Sequence, residues 1–316
     1  MPMATGESAI AAVGDVHGHL QLALCVLARW QDELKVHLEA VLLCGDVGTF
    51  TDPSQLDSAT RGRGKENPCE LEFLEQWSRK PSPQWLDRIF APKDQGGLGL
   101  VCPVVMVHGN HEGFAHLERI VPRGFPDGPV DLLDLPGVDA RSRIRLLPSG
   151  WRASAPSGLT IAGVGGIERE QREREYHPMA TIDEEAVLEQ CGKGPVDILI
   201  THEGSSAVQG EEKGSKTLQV LLDERIPRLW FHGHSCPHGE PVRTGRTTVI
   251  PLGGIPFDDD GKPGTDGWAV ARIGPGEPEV LRGPPPFLRE FHRRRWTKTR
   301  DGLHVCPPLA RFAWPS

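Results

Sequence analysis

Side chains that can bind a metal ion recur directly after short apolar segments of this 316-residue chain. Asp15 and His17 follow the first segment and lie two positions apart, so in an extended chain one carboxylate and one imidazole point the same way and can reach a single ion. Asp46 follows the second segment, inside a Gly-Asp pair. Each feature alone has an ordinary explanation, since Asp-x-His occurs by chance and a Gly-Asp aspartate often caps a helix or closes a turn.

Further apolar segments end in the same way. Asn110 and His111 follow one of them, with Gly109 placed to allow an unusual backbone turn, while His202 and His234 each follow another. A lone histidine at a strand end is usually a hydrogen-bonded structural residue. Oxygen and nitrogen donors that follow several segments together are less easily explained as structural residues. They form the donor set suited to Mn, Fe, Zn or Ni and therefore predict a metal centre.

The segments before these motifs are three to six residues long and are bounded by glycine, which favours buried strands over helices. Helical spacing of leucines between them, at residues 20–28 and 218–222, predicts an α/β fold. If all strands run parallel in one sheet, their polar loops meet at one sheet edge. The predicted strands are residues 8–13, 40–44, 103–107, 159–163, 196–200, 229–231 and 247–252.

Three segments interrupt this alternation. An insertion at 51–99 carries the sequence RGRGKENP and a predicted helix around 69–77, and residues 168–175 form a charge run typical of a solvated helix face or loop. Residues 284–316 are proline-rich, then basic and aromatic. The predicted organisation is one domain over 8–283, with the insertion 51–99, followed by a C-terminal extension over 284–316.

Composition limits the function classes. The chain has 35 Lys+Arg and 43 Asp+Glu, and this net charge of −8 argues against a surface coated with basic residues for duplex nucleic acid, although a local basic patch stays possible. Its apolar runs are shorter than the roughly 20 residues of a membrane span, and no basic n-region begins the chain, so neither membrane insertion nor secretion is expected. Seven widely spaced cysteines without a CxxC pair predict reduced thiols and a cytoplasmic location.

Taken together, the motifs resemble those of the calcineurin-like metallophosphoesterase family over roughly residues 10–254. The resemblance implies a four-layer α-β-β-α sandwich and two divalent metal ions bridged by Asp46. It also implies that His111 is the general acid, or orients the phosphate, beside the leaving oxygen. By position, the implied ligands are Asp15, His17 and Asp46 for the first ion and Asp46, Asn110, His202 and His234 for the second.

This arrangement suits hydrolysis of a phosphate ester. Two cations about 3.5–4 Å apart stabilise both the attacking and the departing oxygen and lower the pKa of a bound water towards about 7, so that hydroxide is available for attack. The leaving alkoxide needs a proton, which an imidazole with a pKa near 6.5 can supply. His111 fits that role because it neighbours a predicted ligand without being one.

One position departs from the family pattern. Where the family has Gly-His-x-His, this sequence reads Gly-His234-Ser-Cys236. The Cys236 thiolate would then complete the first ion's site, as a ligand softer than imidazole. The alternatives are that His238 or water takes this place, that His232 and His234 form the His-x-His pair instead, or that the enzyme uses one ion.

The motifs resemble two subfamilies that act on different substrates. The first motif and the Gly-Asn-His-Glu motif resemble Ser/Thr protein phosphatases, but the arginine that those enzymes carry shortly after the bridging aspartate is missing from residues 47–50, VGTF. The insertion, the Gly-Asn-His-Glu motif and residues 163–167 resemble the layout of RNA lariat debranching enzymes. Those enzymes have cysteine where Asp15 stands, so the chain resembles a relative of that branch.

Two basic segments, residues 61–65 and 293–300, would suit a phosphate backbone, and Trp296 could stack a base. Alternatively they are solvated, with Trp296 packed on the domain. The preferred hypothesis is therefore a phosphodiesterase acting on a nucleotide or nucleic acid, with single-stranded nucleic acid as a candidate partner. The alternatives are a phosphomonoesterase acting on a phosphoprotein or small metabolite, and a non-catalytic binding module with the same fold. The sequence identifies no protein partner.

Overall fold

The computed structural model describes residues 8–81, 84–168, 177–184, 193–209, 214–224, 227–234, 239–298 and 304–305. Cys236, His238 and Arg300 lie outside these ranges, as does the charge run 168–175 apart from its first residue.

Two large sheets form the centre of the molecule. Their strands are β1 (Ser8–Val13), β2 (His37–Leu43), β3 (Val104–Met106), β4 (Val130–Asp131), β5 (Ile144–Leu146), β6 (Arg152–Ser154), β7 (Thr160–Val164), β8 (Ile198–Thr201), β9 (Leu229–His232), β10 (Val242–Thr244), β11 (Thr247–Pro251), β12 (Trp268–Arg272) and β13 (Glu279–Arg282), and β14 (Thr297–Lys298) and β15 (His304–Val305) form a small separate hairpin. In the first sheet the strand order is β13-β12-β1-β2-β3-β5, with β1, β2, β3 and β5 parallel. In the second it is β10-β11-β9-β8-β7-β6-β4, with β11, β9, β8 and β7 parallel.

Helices cover the outer faces of both sheets. The long helix α1 packs on the first sheet and α6 on the second. The helices are α1 (Leu20–Leu34), α2 (Ser58–Glu66), α3 (Gln84–Phe90), α4 (Phe114–Ile120), α5 (Ser206–Gln209) and α6 (Lys216–Glu224).

The alternation of side chains along a strand explains the layers. In β1, Ala9, Ala11 and Val13 face the core under α1, while Ile10 and Ala12 face the core between the sheets. In β9, Leu229 and Phe231 belong to the core between the sheets, and Trp230 packs under α6. Both faces of these strands are apolar because both are covered, which is the four-layer α-β-β-α arrangement predicted from the resemblance.

The structure refines two expectations about the elements. The polar loops do not come from one parallel sheet, because β1, β2 and β3 belong to the first sheet whereas β8 and β9 belong to the second. The helix expected around 69–77 is instead a 3₁₀ turn, Pro68–Leu71, followed by a π-helix, Phe73–Trp77. Tertiary contacts decide this, since buried Glu72 accepts hydrogen bonds both from the Gln21 amide of α1 and from the Trp77 indole.

The start of the predicted C-terminal extension packs on the domain. Phe287, Leu288 and Phe291 are buried in the core under α1, and the Arg29 guanidinium of α1 lies 4.1 Å above the Phe287 ring. The Trp296 ring lies 6.1 Å from the Phe257 ring, which is the packed arrangement rather than one free to stack a base. The domain boundary at 283/284 stays a prediction.

In the part of the chain that the structure describes, no helix has the length and apolarity needed to cross a membrane.

Candidate metal centre

The predicted metal ligands of the described residues lie where five loops from both sheets meet. These loops follow the carboxyl ends of β1, β2 and β3 in the first sheet and of β8 and β9 in the second. Because the two sheets face each other, loops at the same end of both approach across the gap. The two-sheet arrangement therefore brings together side chains that are up to about 220 residues apart in sequence, such as Asp15 and His234, whose carboxylate and amide are hydrogen-bonded.

The first group of donors comprises Asp15, His17 and Asp46. One donor atom of each lies within 4.8 Å of those of the other two. His17 Nε2 is 3.7 Å from Asp46 Oδ2. Two carboxylates and an imidazole at these separations can hold one divalent ion.

The second group shares Asp46 with the first. His202 Nε2 lies 3.5 Å from Asp46 Oδ1 and 3.0 Å from Asn110 Oδ1. The His234 ring lies 4.8 Å from the His202 ring, measured between centroids. Asp46 therefore presents one carboxylate oxygen to each group, so it is placed to bridge two ions.

Hydrogen bonding leaves Nε2 of His202 available to bind a metal ion. Its Nδ1 is 2.8 Å from the carbonyl oxygen of Cys44, which can only accept, so Nδ1 carries the proton. Nε2 then presents its lone pair towards Asp46 and Asn110. A backbone carbonyl that orients a metal-binding histidine in this way is a common feature of metal sites, and the donor set fits a divalent cation.

Backbone strain concentrates at the same residues. His17, Asp46 and His234 have φ values of 41°, 47° and 51°, and they are three of the five non-glycine residues with positive φ in the described part of the chain. This left-handed conformation is unfavourable for residues with a Cβ, so surrounding contacts must maintain it. One such contact is the hydrogen bond from the His17 amide to the Asp46 carbonyl, at 2.6 Å.

Two glycines make room for the ligands. Gly45 has φ +100°, and a Cβ there would lie 2.4 Å from His202 Nδ1. Gly109 does not adopt the positive φ that the sequence suggested. A glycine is required there by space, because a Cβ would lie 2.1 Å from Asp46 Oδ1.

Burial and neighbouring charges set protonation states that suit a cation. Burial raises the pKa of Asp15 to about 6 and lowers the pKa of His17 to about 4 and that of His234 to about 3. Burial also raises the pKa of Asp46, but the neighbouring His202 and His17 outweigh it and hold this pKa below its usual range. At neutral pH the carboxylates are therefore ionised and His17 and His234 are neutral imidazoles with free lone pairs. Burial also lowers the pKa of His202, but the charges of Asp46 and Asp15 raise it above its ordinary value.

Glu112 joins two of the loops that carry predicted metal ligands. Its buried carboxylate accepts hydrogen bonds from the amides of Val47 and Thr49, both at 2.8 Å, and from the Thr49 hydroxyl. Burial and the charge of Asp46 raise the pKa of Glu112 to about 7. The residue holds the loop after Asp46 against the loop that carries Asn110.

His111 lies at the edge of the donor groups, paired with a residue from the insertion. Its amide donates to Asp46 Oδ1 at 2.8 Å, and its Nδ1 is 3.1 Å from Asp57 Oδ2. Burial lowers the pKa of His111, but the hydrogen bond and charge of Asp57, with the charge of Asp46, raise it above the ordinary value. These contacts therefore favour the protonated imidazole, which suits a proton donor.

The insertion packs directly on the first metal-binding loop. A Cβ on Gly18, which has φ +79°, would lie 2.3 Å from the Cys69 carbonyl oxygen, and the Asn67 amide nitrogen is 2.8 Å from His19 Nε2. Arg63 of α2 reaches the centre itself, with its Nη2 3.2 Å from His17 Nδ1. Arg63 belongs to the basic segment 61–65, which the insertion thus brings to the donor groups.

His232 lies in the core beside Trp230. The His232 ring is buried, with Nδ1 3.1 Å from the Gly233 carbonyl oxygen and its centroid 5.9 Å from that of Trp230. This core position favours the register that uses His234. Cys236 and His238, the two candidates for the last ligand position, lie outside the described residues.

Sequence reasoning missed Asp57 and did not single out Arg63. Asp57 caps α2 by accepting a hydrogen bond from the Thr60 amide at 2.8 Å, and an aspartate three residues before a threonine is a recognisable helix start. This local signal predicts the helix α2 but not its contact with His111, which lies 54 residues further along the chain.

The sequence matches the calcineurin-like phosphoesterase family over residues 8–238, most of the chain and all of the donor groups just described. The chain belongs to this family. It is therefore an enzyme that hydrolyses phosphate esters with divalent metal ions, and the alternative of a non-catalytic binding module is disfavoured.

A solved structure shows a similar fold at low sequence identity, and a second match is weaker. The protein TT1561 of Thermus thermophilus is 13% identical, with a TM-score of 0.50, and the alignment covers 87% of this chain and 99% of that one. A phosphatase from Mycoplasma pneumoniae is 14% identical, with a TM-score of 0.41, over 89% of this chain and 96% of that one. None of the curated proteins matches the sequence significantly.

Proposed function

We propose that this metallophosphoesterase cleaves alkyl phosphate esters with His111 as the proton donor to the leaving oxygen. The observation that carries the proposal is the contact of His111 with Asp57, 3.1 Å between Nδ1 and Oδ2, at the edge of the metal centre. An alkoxide is a poor leaving group, so an enzyme for such esters needs an acid held protonated near the reacting phosphorus.

The proposed ligands follow the two donor groups. Asp15, His17 and Asp46 would hold one ion, and Asp46, Asn110, His202 and His234 the other, with the last position of the first site assigned to Cys236. When bound, such ions supply positive charge for the transition state and lower the pKa of water. Mn, Fe, Zn and Ni all suit these donors.

Asp57 and Asp46 position different parts of His111. Asp46 accepts from its backbone amide and thereby fixes the residue beside the ligands, while Asp57 accepts from its ring. With the proton on Nδ1 facing Asp57, the other ring nitrogen, Nε2, is the one that can donate to a leaving oxygen. His111 Nε2 then receives its proton back from water after product leaves.

For the substrate, we propose a phosphodiester of a nucleotide or of single-stranded nucleic acid. The support is a basic turn, Arg293–Arg295, in which Arg294 and Arg295 are exposed. Two successive ring contacts lead from the loop after β1 towards this turn, since the ring of His19 packs 5.3 Å from that of Phe257, which in turn packs on Trp296, the residue after the turn. A cationic turn next to the site would bind phosphates flanking the one that is cleaved.

A phosphomonoesterase is the second candidate. The guanidinium of Arg63 beside His17 favours it, because a terminal phosphate carries one more negative charge than a diester and benefits more from an added cation.

Hydrolysis rates separate these candidates. The protein reconstituted with Mn²⁺ is assayed on bis-nitrophenyl phosphate and mononitrophenyl phosphate, then on a dinucleotide and phosphoserine. We expect the diesters to have the higher kcat/KM, and we expect the double variant Arg294→Gln/Arg295→Gln to weaken binding of a short oligonucleotide while leaving the nitrophenyl diester unaffected. A clear preference for both monoesters would refute the diester assignment and support the second candidate.

A further inference from the structure

Arg63 is a cation at the metal centre that comes from outside the family's motifs. It lies on α2 of the insertion, and its Nη2 is 3.2 Å from Nδ1 of His17, a predicted ligand. Its side chain is 39% exposed, so a molecule bound at the centre can contact it. The loop after Asp46 offers no comparable cation, since residues 47–50 are VGTF and are buried.

A buried carboxylate holds the guanidinium at Nε, while Nη2 is directed at His17. Arg63 Nε donates to Glu70 Oε2 at 3.0 Å, and the Glu70 side chain is only 3% exposed. Glu70 belongs to the 3₁₀ turn that presses on Gly18, so the arginine and the first metal-binding loop are held by the same piece of backbone. A guanidinium held at Nε still presents a fork of N–H donors, the geometry that matches two oxygens of a phosphate.

The chemistry of His17 shows that Arg63 needs another acceptor when the ion is bound. An arginine N–H can only donate, so its contact with His17 requires Nδ1 to accept. His17 Nε2 is the nitrogen that faces Asp46, at 3.7 Å, and a neutral imidazole that uses Nε2 as a ligand carries its proton on Nδ1. Arg63 Nη2 then faces another donor and needs a different acceptor, a role that an anionic oxygen of a bound substrate can fill.

We propose that Arg63 binds a non-bridging oxygen of the substrate's phosphoryl group. It thus supplies from the insertion helix the cation that the loop after Asp46 lacks. This inference rests on the proposed ligand role of His17 and applies to a diester as well as to a monoester, because both carry non-bridging oxygens.

Binding of inorganic phosphate tests the proposal without turnover. Full-length protein loaded with Mn²⁺ is titrated with phosphate by calorimetry, as wild type, Arg63→Met, Arg63→Lys and Arg61→Met, and bound metal is measured in each. Arg61 is the matched control, since it lies two residues away on α2 and bonds to the Leu56 carbonyl. We expect Arg63→Met to weaken phosphate binding about 10- to 100-fold, the loss of a charge-assisted hydrogen bond, with unchanged metal content. Arg63→Lys should lose less, and Arg61→Met should bind within about twofold of wild type, because it keeps every contact at the centre.

Two results would overturn the assignment. Unchanged phosphate affinity in Arg63→Met would show that the guanidinium does not contact the anion. A parallel loss of metal and phosphate in that variant would show that Arg63 acts by supporting His17 instead. Either result leaves the role of His111 intact, because cleavage of alkyl esters by the wild-type protein is measured separately.

Discussion

Replacing Asp57 with asparagine tests the proposed proton donor most directly. Asp57 Oδ2 lies 3.1 Å from His111 Nδ1, while Oδ1 caps α2 by accepting from the Thr60 amide at 2.8 Å. Asparagine keeps an oxygen for the cap, and asparagine and aspartate are about equally good at this position, so the helix should remain. The charge beside His111 is lost, and the amide nitrogen placed there donates to Nδ1 instead of accepting from it.

The expected effect depends on the leaving group. A hydrogen bond to a charged group contributes about 1.5–2.5 kcal/mol when the pair is partly exposed, which corresponds to about a 10- to 70-fold lower kcat on an alkyl ester. Nitrophenolate leaves as a stabilised anion and needs little proton donation, so the same variant should lose only about twofold on the nitrophenyl ester, following Brønsted behaviour. Since Asp57 raises the pKa of His111, the basic limb of the kcat profile should also move to lower pH.

The assay compares kcat for a dinucleotide and for the nitrophenyl diester across pH, with bound Mn²⁺ and circular dichroism measured for each protein. Asp52→Asn is the matched control, because Asp52 caps a nearby 3₁₀ turn through Ser54 and is exposed. Equal losses on both esters, or an unchanged pH profile, would contradict the role of Asp57 as the residue that keeps His111 protonated. A variant that had lost its metal would show instead that Asp57 supports the whole centre.

Three other perturbations follow from the contacts. Glu112→Gln should lower metal affinity about 10- to 100-fold in a competition assay with a chelator, because an amide group replaces an acceptor that joins two metal-binding loops; wild-type affinity would contradict this role. Gly45→Ala should abolish metal binding, because its Cβ would lie 2.4 Å from His202 Nδ1. Gly62→Ala on α2 is the control for a glycine with open space, since its Cβ would meet nothing within 4 Å. It should raise the free energy of unfolding, measured in urea, by about 0.5–1 kcal/mol. Burial lowers the pKa of His232 to about 4, so between pH 6.5 and 4 the unfolded chain binds a proton that the folded chain does not, and stability should fall as the pH decreases through this window. His232→Gln should reduce the slope of the unfolding free energy against pH by up to about 1.4 kcal/mol per pH unit. An unchanged slope would show that His232 is already protonated in the folded protein.

Local patterns in the sequence were sufficient to predict the strands that carry the motifs. The apolar runs before Asp15, Asp46 and His202 are strands, with bounds shifted by three residues or fewer, because a buried strand between glycine-containing loops has a composition that needs no distant contact to be recognised. The order of the donors was likewise enough to suggest the family, which the match over residues 8–238 shows. The cytoplasmic location, the identity of the metal and the relation to lariat debranching enzymes stay predictions.

The insertion shows where local patterns fail. Residues 69–77 have helical composition, but they must press a carbonyl against Gly18 and place Glu72 against α1, and those contacts produce a 3₁₀ turn and a π-helix. Arg63 is likewise not predictable from local patterns. It is one of several basic residues in the sequence, and only its contact with His17 distinguishes it from them.

The sequence by itself determined which side chains are available for metal chemistry and which short strands end beside them, because both depend on neighbours along the chain. Only the tertiary structure decided that these strands divide between two facing sheets, and that the insertion brings Asp57 to His111 and Arg63 to His17. Those pairs are separated by 54 and 46 residues, and they form because apolar burial on both faces of each sheet fixes the positions of the loops.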